Sequence, residues 1–191
     1  KEVNNNYTQE NCWEYSFSFP QEIEGYLKMT GGPDVLEKKL DALFAAKSKT
    51  TGREQSDITG LIGQYAHGNE PSHHIAYLYN YTNAPWKTQE KVHQIMTGFY
   101  KNSPDGLIGN EDCGQMSAWY VMSAMGMYQL TPCSGTYDLG IPTFQNIIIH
   151  TAPDKKFQIN VEGFKENKFY TKYFKEYKSS EDKYALSQQL S

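Results

Sequence analysis

The amino-acid sequence predicts a mainly α-helical chain that ends in a short β-rich segment. Apolar residues recur at helical spacing over about residues 33–47, where Pro33 suits the first turn of a helix. After Pro132 the spacing changes, and runs rich in β-branched and aromatic residues occupy 144–150 and 157–161. This change of periodicity sets the predicted fold class.

The chain is therefore divided into two parts. We predict that residues 1–132 are helical and that residues 133–191 are β-rich. Three further helices are expected to begin after side chains that suit the N-cap position. These side chains are Ser72, Thr88 and Asp112. The last of these helices is expected over about residues 114–126, with its middle buried nearly all round.

The composition argues against two classes of protein. The chain has 191 residues and a formal net charge of -4, whereas a nucleic-acid-binding surface is normally basic. No apolar run approaches the ~20 residues that a membrane-spanning helix needs.

Aromatic residues make up 14% of the chain, and 15 of them are tyrosines. Such amphipathic rings suit sugars, although a tyrosine-rich core explains the same composition.

The three cysteines are an odd number without CxxC spacing. They are Cys12, Cys113 and Cys133. This pattern does not predict a zinc site and allows at most one disulfide. We expect at least two of the thiols to be buried as small hydrophobic groups.

Polar loops that carry a carboxylate precede apolar helices three times, around Glu10, Glu70 and Asp112. Helical barrels bring such loops to one end, so we expect the three loops to line one cavity. Glu10 lies close to Trp13, and burial beside an indole raises the pKa of a carboxylic acid as a general acid requires. A surface glutamate near a packed tryptophan would give the same pattern.

The second loop, residues 67–74, holds three histidines and one glutamate. A metal site is one interpretation, but the spacing does not match HExxH. Sugar recognition by His67, Asn69 and Glu70 also fits, because these side chains offer directional hydrogen bonds to hydroxyls. A helix capped by Ser72 and flanked by solvated histidines remains the alternative.

The third loop, residues 106–115, places Glu111 and Asp112 in a glycine-flanked turn ahead of an apolar helix. Glycines let the backbone approach a ligand closely. One carboxylate can cap the helix while the other faces a cavity, and capping alone would explain Asp112. The segment lacks the pattern of an EF-hand, although it offers oxygen ligands for a hard cation.

These clusters, in this order, resemble glycoside hydrolase family 92, the calcium-dependent exo-acting α-mannosidases. The resemblance covers roughly residues 7–150. The motifs that carry it are Glu10-Asn11-Cys12-Trp13, Gly68-Asn69-Glu70-Pro71-Ser72-His73, Ala84-Pro85-Trp86-Lys87-Thr88-Gln89 and Gly109-Asn110-Glu111-Asp112-Cys113-Gly114-Gln115-Met116-Ser117-Ala118-Trp119-Tyr120. Asn110 departs from the family, in which some members have an acid at this position.

The resemblance implies a fold in which this chain is the C-terminal part of an (α/α)6 helical barrel. The family joins that barrel to an N-terminal β-sandwich, so the β-sandwich and the earlier barrel helices are implied partners of this chain. We expect the chain to be part of a larger protein or to pack against another chain, and it would be inactive alone if those partners complete the site. The family is typically exported, which implies a periplasmic or extracellular location.

The resemblance also implies an activity, the removal of terminal α-linked mannose, with α-1,2 linkages as the expected substrate, from glycans including N-glycans. Inversion needs an acid for the leaving oxygen and a base for water on the opposite face. The matched motifs make Glu10 the acid and Asp112 the base, with Glu111 as the competing base. A non-catalytic glycan-binding piece and another (α/α)6 carbohydrate-active enzyme are the alternatives.

Calcium is the cofactor that the resemblance implies, and it is expected to contact the sugar. The expected calcium neighbours are Asn11, Glu70 and Asp112. The expected substrate contacts are Trp13, His67, Asn69 and Glu70, with Trp13 forming an apolar wall.

Overall fold

The computed structural model describes residues 2–3, 11–52, 55–165, 170–178 and 184–190. Its α-helices are α1 (Cys12–Tyr15), α2 (Ile23–Thr30), α3 (Pro33–Ala45), α4 (Trp86–Phe99) and α5 (Gln115–Ala124). Two 3-10 segments, Glu70–Ser72 and Ile75–Tyr81, lie between α3 and α4. The order of helices first and sheet second confirms the predicted arrangement.

Helix α3 confirms the clearest prediction from the sequence. Pro33 occupies its first turn, where a missing N–H costs nothing. Its buried side chains recur at helical spacing and are Leu36, Leu40, Leu43 and Phe44. A hairpin of β3 (Leu61–Ile62) and β4 (Tyr65–Ala66) covers the end of the helix, where Gln64 N–H donates to the carbonyl of Leu43 at 2.9 Å.

The segment after Ser72 is not the predicted capped α-helix. Ser72 Oγ donates to the carbonyls of Ala66 and Asn69, at 2.6 and 2.7 Å, so it acts as a donor instead of accepting from a helix N-terminus. The residues that follow form a 3-10 segment, and from Ile75 to Tyr79 every side chain is buried. With no polar face, this segment is a narrow connection through the core.

Helix α4 begins before the predicted cap. It starts at Trp86, after Pro85, and Thr88 lies inside the first turn with a buried hydroxyl that has no partner among the described residues. The cap prediction for Thr88 was therefore wrong. Pro85 ends the preceding segment and its fixed φ suits the entry to a helix, so the hydroxyl at Thr88 is not needed there.

Helix α5 corrects two further expectations. Asp112 does not cap it, because Gly114 occupies the N-cap position and no side chain there accepts a hydrogen bond. Trp119 is fully buried, but Val121 is 54% exposed, so the middle of the helix is covered on one side only.

The β-rich part has a small ladder and a four-stranded sheet. The ladder pairs β5 (Met125–Tyr128) with β6 (Asp138–Pro142). The sheet contains β7 (Asn146–Ala152), β8 (Lys155–Glu162), β9 (Thr171–Lys178) and β10 (Tyr184–Leu190) in the order β7-β8-β10-β9. Strand β10 is parallel to β8 and antiparallel to β9. The two predicted strands, 144–150 and 157–161, correspond to β7 and β8.

Near the start of the chain, β1 (Glu2–Val3) pairs in parallel with β2 (Thr51–Gly52).

The helical part and the β-rich part each have their own hydrophobic cluster. The larger joins α3, α4, α5 and the 3-10 segment Ile75–Tyr81, and its most buried large side chains include Trp119, Tyr77 and Tyr79. The smaller lies beneath the sheet around Ile159 and Val161. The boundary after residue 132 stays a prediction.

The cysteines lie at or near the surface. Cys113 and Cys133 are exposed and Cys12 is half-buried, so the expectation of at least two buried thiols was wrong. Both exposed cysteines occupy left-handed turns, with φ of 57° and 62°, which places their side chains outside the core. Within the described ranges, no helix is long and apolar enough to cross a membrane.

Candidate active site

Three loops meet backbone to backbone at one place on the surface of the helical part. Gly68 N–H donates to the carbonyl of Thr59 at 3.0 Å, and a Cβ at Gly68 would lie 1.8 Å from Thr59 Oγ1. A Cβ at Gly109 would lie 2.7 Å from the carbonyl oxygen of Gly68. Glycine is required at both positions because of this close approach. The contact brings the loops of Glu70 and Asp112 together, as the sequence predicted.

A left-handed turn presents Asp112 to this junction. Asp112, Cys113 and Gly114 have φ of 52°, 57° and 97°, so three consecutive residues lie in the left-handed region. The conformation costs roughly 1–2 kcal/mol for each residue that has a Cβ. Backbone strain of this kind concentrates at functional sites. The turn leaves the Asp112 side chain exposed and free of the helix N-terminus that it was predicted to cap.

Glu111 has a different role from its neighbour. Its carboxylate accepts from the backbone N–H of Ser117 at 3.1 Å and from Ser117 Oγ at 2.9 Å. Its carbonyl accepts from Met116 N–H at 3.2 Å. Glu111 therefore stabilises the first turn of α5. The sequence alone did not distinguish the roles of Glu111 and Asp112, and their different hydrogen-bond partners now do so.

Asp112 and Glu70 are brought into contact. The pKa of Glu70 is raised by partial burial, by a hydrogen bond with the Asp112 carboxyl and by the negative charges of Asp112 and Asp57. Asp57 belongs to the loop that includes Thr59, and sequence reasoning missed it. Nothing near Asp57 in the sequence marks it as a charge that acts on Glu70, 13 residues further along the chain.

His73 follows Glu70 closely, and its backbone N–H donates to the carbonyl of Glu70 at 3.0 Å. Its Nε2 donates to the carbonyl of His67 at 3.1 Å, and its Nδ1 accepts from Gln115 Nε2 at 3.1 Å. Burial lowers the pKa of His73 to about 4. The imidazole is therefore neutral at physiological pH and acts as a fixed donor and acceptor.

His67 is enclosed by aromatic side chains. Its Nδ1 and Nε2 each lie 2.7 Å from a tyrosine hydroxyl, those of Tyr65 and Tyr100 respectively, and the Tyr100 hydroxyl donates to the carbonyl of Met116 at 3.1 Å. Burial lowers the pKa of His67 well below its ordinary value. Because the side chain has no exposed surface, its position argues against the direct sugar contact that the resemblance implies.

The remaining predicted substrate contacts differ in exposure. Asn69 is buried, and its carbonyl accepts from Ser72, so its position also argues against a direct contact. Glu70 is half-buried, at the loop junction. Trp13 is half-buried and packs against the larger core, and its role as a wall of the site stays a prediction.

Asn11 has a structural role that argues against the predicted calcium contact. Its Oδ1 accepts from the backbone N–H groups of Trp13 and Glu14, at 2.8 and 3.3 Å, and its Nδ2 donates to the carbonyl of Gln64 at 3.2 Å. Both lone pairs of the amide oxygen are used, and the residue is fully buried. Asn11 therefore caps α1 and fastens it to the hairpin over α3.

Glu14 is a buried acid that the sequence analysis overlooked. Its Oε1 accepts from Ala66 N–H at 2.6 Å, and its Oε2 accepts from Asn11 N–H at 3.5 Å. Burial raises the pKa of Glu14 to about 8, although the two backbone donors oppose the shift. The reciprocal contact with Asn11 is a capping box, a pattern readable from an asparagine followed three residues later by a glutamate.

Glu10, the predicted general acid, lies outside the described residues. The described chain therefore includes one of the two predicted catalytic carboxylates, Asp112. The separation of the two carboxyl groups, which distinguishes inverting from retaining hydrolases, is untested.

The side chains of the site offer part of what a calcium ion requires. Among the described residues, no group of three histidine, cysteine or acidic side chains is arranged to hold a metal. The three histidines of the second loop donate or accept at separate partners, which does not support a histidine-based site. Glu70 and Asp112 do fit part of a hard-cation site, because they present carboxylate oxygens to one another.

This chain belongs to glycosyl hydrolase family 92. The catalytic-domain model of that family matches residues 1–188. The arrangement of helices, sheet and clustered carboxylates described above is therefore the arrangement of a segment of that catalytic domain.

Solved structures and a curated relative agree with this assignment. A family GH92 α-mannosidase from Bacteroides thetaiotaomicron in complex with mannoimidazole is 35% identical, with a TM-score of 0.86 over 95% of this chain and 25% of its own. A family GH92 inverting mannosidase from Bacteroides thetaiotaomicron VPI-5482 is 28% identical, with a TM-score of 0.78 over 96% of this chain and 28% of its own. An uncharacterized secreted glycosidase from Arthroderma benhamiae is 26% identical over 137 residues, which are 72% of this chain and 16% of that protein. The chain thus spans little more than a quarter of these relatives at most.

Proposed function

We propose that this chain forms part of the active site of an exo-acting α-mannosidase and that Asp112 is its general base. The observation that carries the proposal is the difference between two adjacent acids. Glu111 is bonded to the first turn of α5, whereas the left-handed turn exposes Asp112 beside Glu70. A base must reach a water molecule in an open site, and Asp112 is the acid of this loop that does so.

The proposed reaction inverts the configuration at the sugar. Asp112, ionised, accepts a proton from a water molecule whose oxygen forms a bond to the anomeric carbon. The bond between that carbon and the glycosidic oxygen breaks, and Glu10 gives its proton to the departing oxygen. Glu70 lies beside Asp112, and its pKa is raised by partial burial and by the neighbouring carboxylates.

Calcium is part of the proposal, with Glu70 and Asp112 as the residues that would hold it. A hard divalent cation binds carboxylate and hydroxyl oxygens and would draw sugar hydroxyls into the site. The close approach of two carboxylates supports this role, since a cation relieves the repulsion between them. Asn11 is not included, because its amide oxygen is already fully used.

The surroundings of the site are also proposed from the family. The rest of an (α/α)6 barrel and a β-sandwich would complete the cavity, since the chain covers 25% of the mannoimidazole-bound relative. The substrate is proposed to be a terminal α-1,2-linked mannose of a glycan, such as an N-glycan. A periplasmic or extracellular location is supported by the relative described as secreted.

The test uses the complete protein and an α-1,2-linked mannobiose. Proton NMR of the first product should show β-mannose, and Asp112→Asn should lower kcat by about 10²–10⁴-fold, the usual contribution of a general base. Asp154→Asn, at an exposed aspartate between β7 and β8, is the matched control and should retain activity. Addition of a chelator should abolish hydrolysis, and calcium should restore it.

Three outcomes would contradict the proposal. Full activity of Asp112→Asn would exclude it as the base, and α-mannose as first product would exclude inversion. Binding of mannobiose without hydrolysis would instead favour the glycan-binding alternative.

A further inference from the structure

The two site carboxylates each begin a short turn that is closed by a hydrogen bond between its first and fourth residues. His73 N–H donates to the carbonyl of Glu70 at 3.0 Å, and Gln115 N–H donates to the carbonyl of Asp112 at 3.2 Å. Each turn therefore starts with a site acid and ends, three residues later, with a polar side chain. The geometry makes the position of each acid depend on the residue that closes its turn.

One side-chain hydrogen bond joins the ends of the two turns. Gln115 Nε2 lies 3.1 Å from His73 Nδ1, between residues 42 positions apart in the sequence. Together with the contact between the Glu70 and Asp112 carboxyls, this bond closes a ring of four residues. Opening the ring at His73 and Gln115 would leave the two loops free to separate at the acids.

The hydrogen-bond partners of His73 determine which of its atoms donates. Nε2 faces the carbonyl of His67, which only accepts, so Nε2 carries the proton. Nδ1 is then the acceptor, and the amide of Gln115 is the donor. A glutamine is suited to this position because its NH₂ group donates without adding a charge beside the carboxyl pair.

The inner side of the ring is held rigidly. Trp119 Nε1 donates to the carbonyl of His73 at 3.0 Å. The rings of His67 and His73 stack with centroids 4.8 Å apart, and the edge of Trp119 meets His67 at 4.4 Å. His73 therefore cannot follow Gln115 if the bond between them is lost.

We propose that Gln115 and His73 are positioning residues that set the separation of the Glu70 and Asp112 carboxyls across the two loops. The inference rests on the proposed function, because it assigns these residues a task in the same site. Neither residue touches substrate in this role. Each acts through the backbone of the acid three residues before it.

The central test replaces Gln115 by a side chain of similar length that cannot donate. In the complete protein, Gln115→Met should lower kcat for the mannobiose by about 10- to 100-fold, since a displacement near 1 Å costs this much. KM and the melting temperature should change little. Gln94→Met, the same change at an exposed glutamine of α4, is the matched control and should leave kcat unchanged.

Variants of His73 supply a second, independent measurement. His73→Asn keeps an amide oxygen near the place of Nδ1 and should retain more of kcat than His73→Leu. In a double-mutant cycle, His73→Leu combined with Gln115→Met should cost little more than His73→Leu alone. Fully additive losses, or a Gln115→Met enzyme with unchanged kcat, would overturn the proposal.

A crystal structure separates failure of this inference from failure of the proposed function. In the Gln115→Met variant the distance between the Glu70 and Asp112 carboxyls should increase relative to the unchanged protein. If the protein hydrolyses no mannoside, the function is wrong but this distance still tests the positioning role. An unchanged distance would overturn the positioning role whatever the activity.

Discussion

Glu111 and Asp112 are adjacent in the sequence, yet their carboxylates face different partners. Glu111 accepts two hydrogen bonds from Ser117 in the first turn of α5. Asp112, at φ 52°, is directed away from that turn and meets Glu70. The left-handed turn that begins at Asp112 thus separates a structural acid from an acid available for chemistry.

The structural role of Glu111 predicts an effect on stability. Glu111→Ala should lower the free energy of unfolding by about 1 kcal/mol, because Ser117 loses the acceptor for its backbone N–H. Its effect on kcat should be less than tenfold. Denaturant titration and mannobiose hydrolysis of the complete protein would measure both quantities.

A partner variant at Ser117 sharpens this prediction. Ser117→Ala removes the hydroxyl donor, so the losses in the double variant with Glu111→Ala should be smaller than the sum of the single losses. A kcat loss for Glu111→Ala as large as that for Asp112→Asn would contradict the division of roles.

The close contact of Gly68 with Thr59 leaves no room for a side chain at position 68. In Gly68→Ala the new Cβ would lie 1.8 Å from Thr59 Oγ1 and 3.1 Å from Thr59 Cβ, so the loops must move apart. We expect a lower melting temperature and a loss of activity, because the displacement reaches Glu70. Gly98→Ala is the control, since Gly98 lies in helix α4 with open space around its Cα, and it should stabilise the protein by roughly 0.5–1 kcal/mol. Equal melting temperatures for the two variants would argue against the tight contact.

Glu14 predicts a decrease in stability as the pH rises. Burial raises the pKa of Glu14 to about 8, from an ordinary value of 4.5 in the unfolded chain. Between these values the folded state holds a proton that the unfolded state releases, so the contribution to stability is complete below pH 4.5 and is lost as the pH rises through 8. A pKa difference of this size corresponds to about 5 kcal/mol.

The corresponding measurement compares two proteins at two pH values. Unfolding midpoints at pH 5 and pH 8.5 should differ more for the unchanged protein than for Glu14→Gln, which has no titrating group at this position. Subtraction removes the contributions of the buried histidines, which titrate in both proteins. Parallel pH profiles would show that Glu14 is not the source.

His67 lies between the hydroxyls of Tyr65 and Tyr100, so removal of one of these hydroxyls should lower the stability of the protein. In Tyr100→Phe the Nε2–H of His67 would lose its acceptor in a buried site, which costs about 1–3 kcal/mol. The melting temperature should fall accordingly. Tyr120→Phe is a suitable control, because Tyr120 is half-buried and its ring lies 4.8 Å from that of Tyr100. A similar decrease in both variants would show that general packing is responsible.

Local patterns predicted the parts of the fold that depend on near neighbours in the sequence. Helix α3 and strands β7 and β8 have regular periodicity, so their positions followed from the apolar residues alone. The 3-10 segment after Ser72 has no such face, because the core surrounds it. An apolar run of that kind is compatible with either an α-helix or a 3-10 helix.

The candidate site depends on contacts between distant residues, and these limited what the sequence could predict. The loops of Glu70 and Asp112 were expected to meet, but only the structure shows that the charge of Asp57 also acts on Glu70. The tasks of Asn11 and His67 are set by partners 53 and 33 residues away, Gln64 and Tyr100. A side chain that forms hydrogen bonds can have several roles, and its neighbours in the folded protein determine which of them it has.

The contact of Gly68 with Thr59 and Gly109 has a consequence for how such a site can diversify. The Gly68 N–H bonds to the carbonyl of Thr59, and the Gly68 carbonyl lies against Gly109, so this part of the junction is formed by main-chain atoms that every residue shares. Side chains around the junction can therefore vary without breaking this main-chain contact. The same contact makes each of the two glycines difficult to replace without a compensating change in the facing loop.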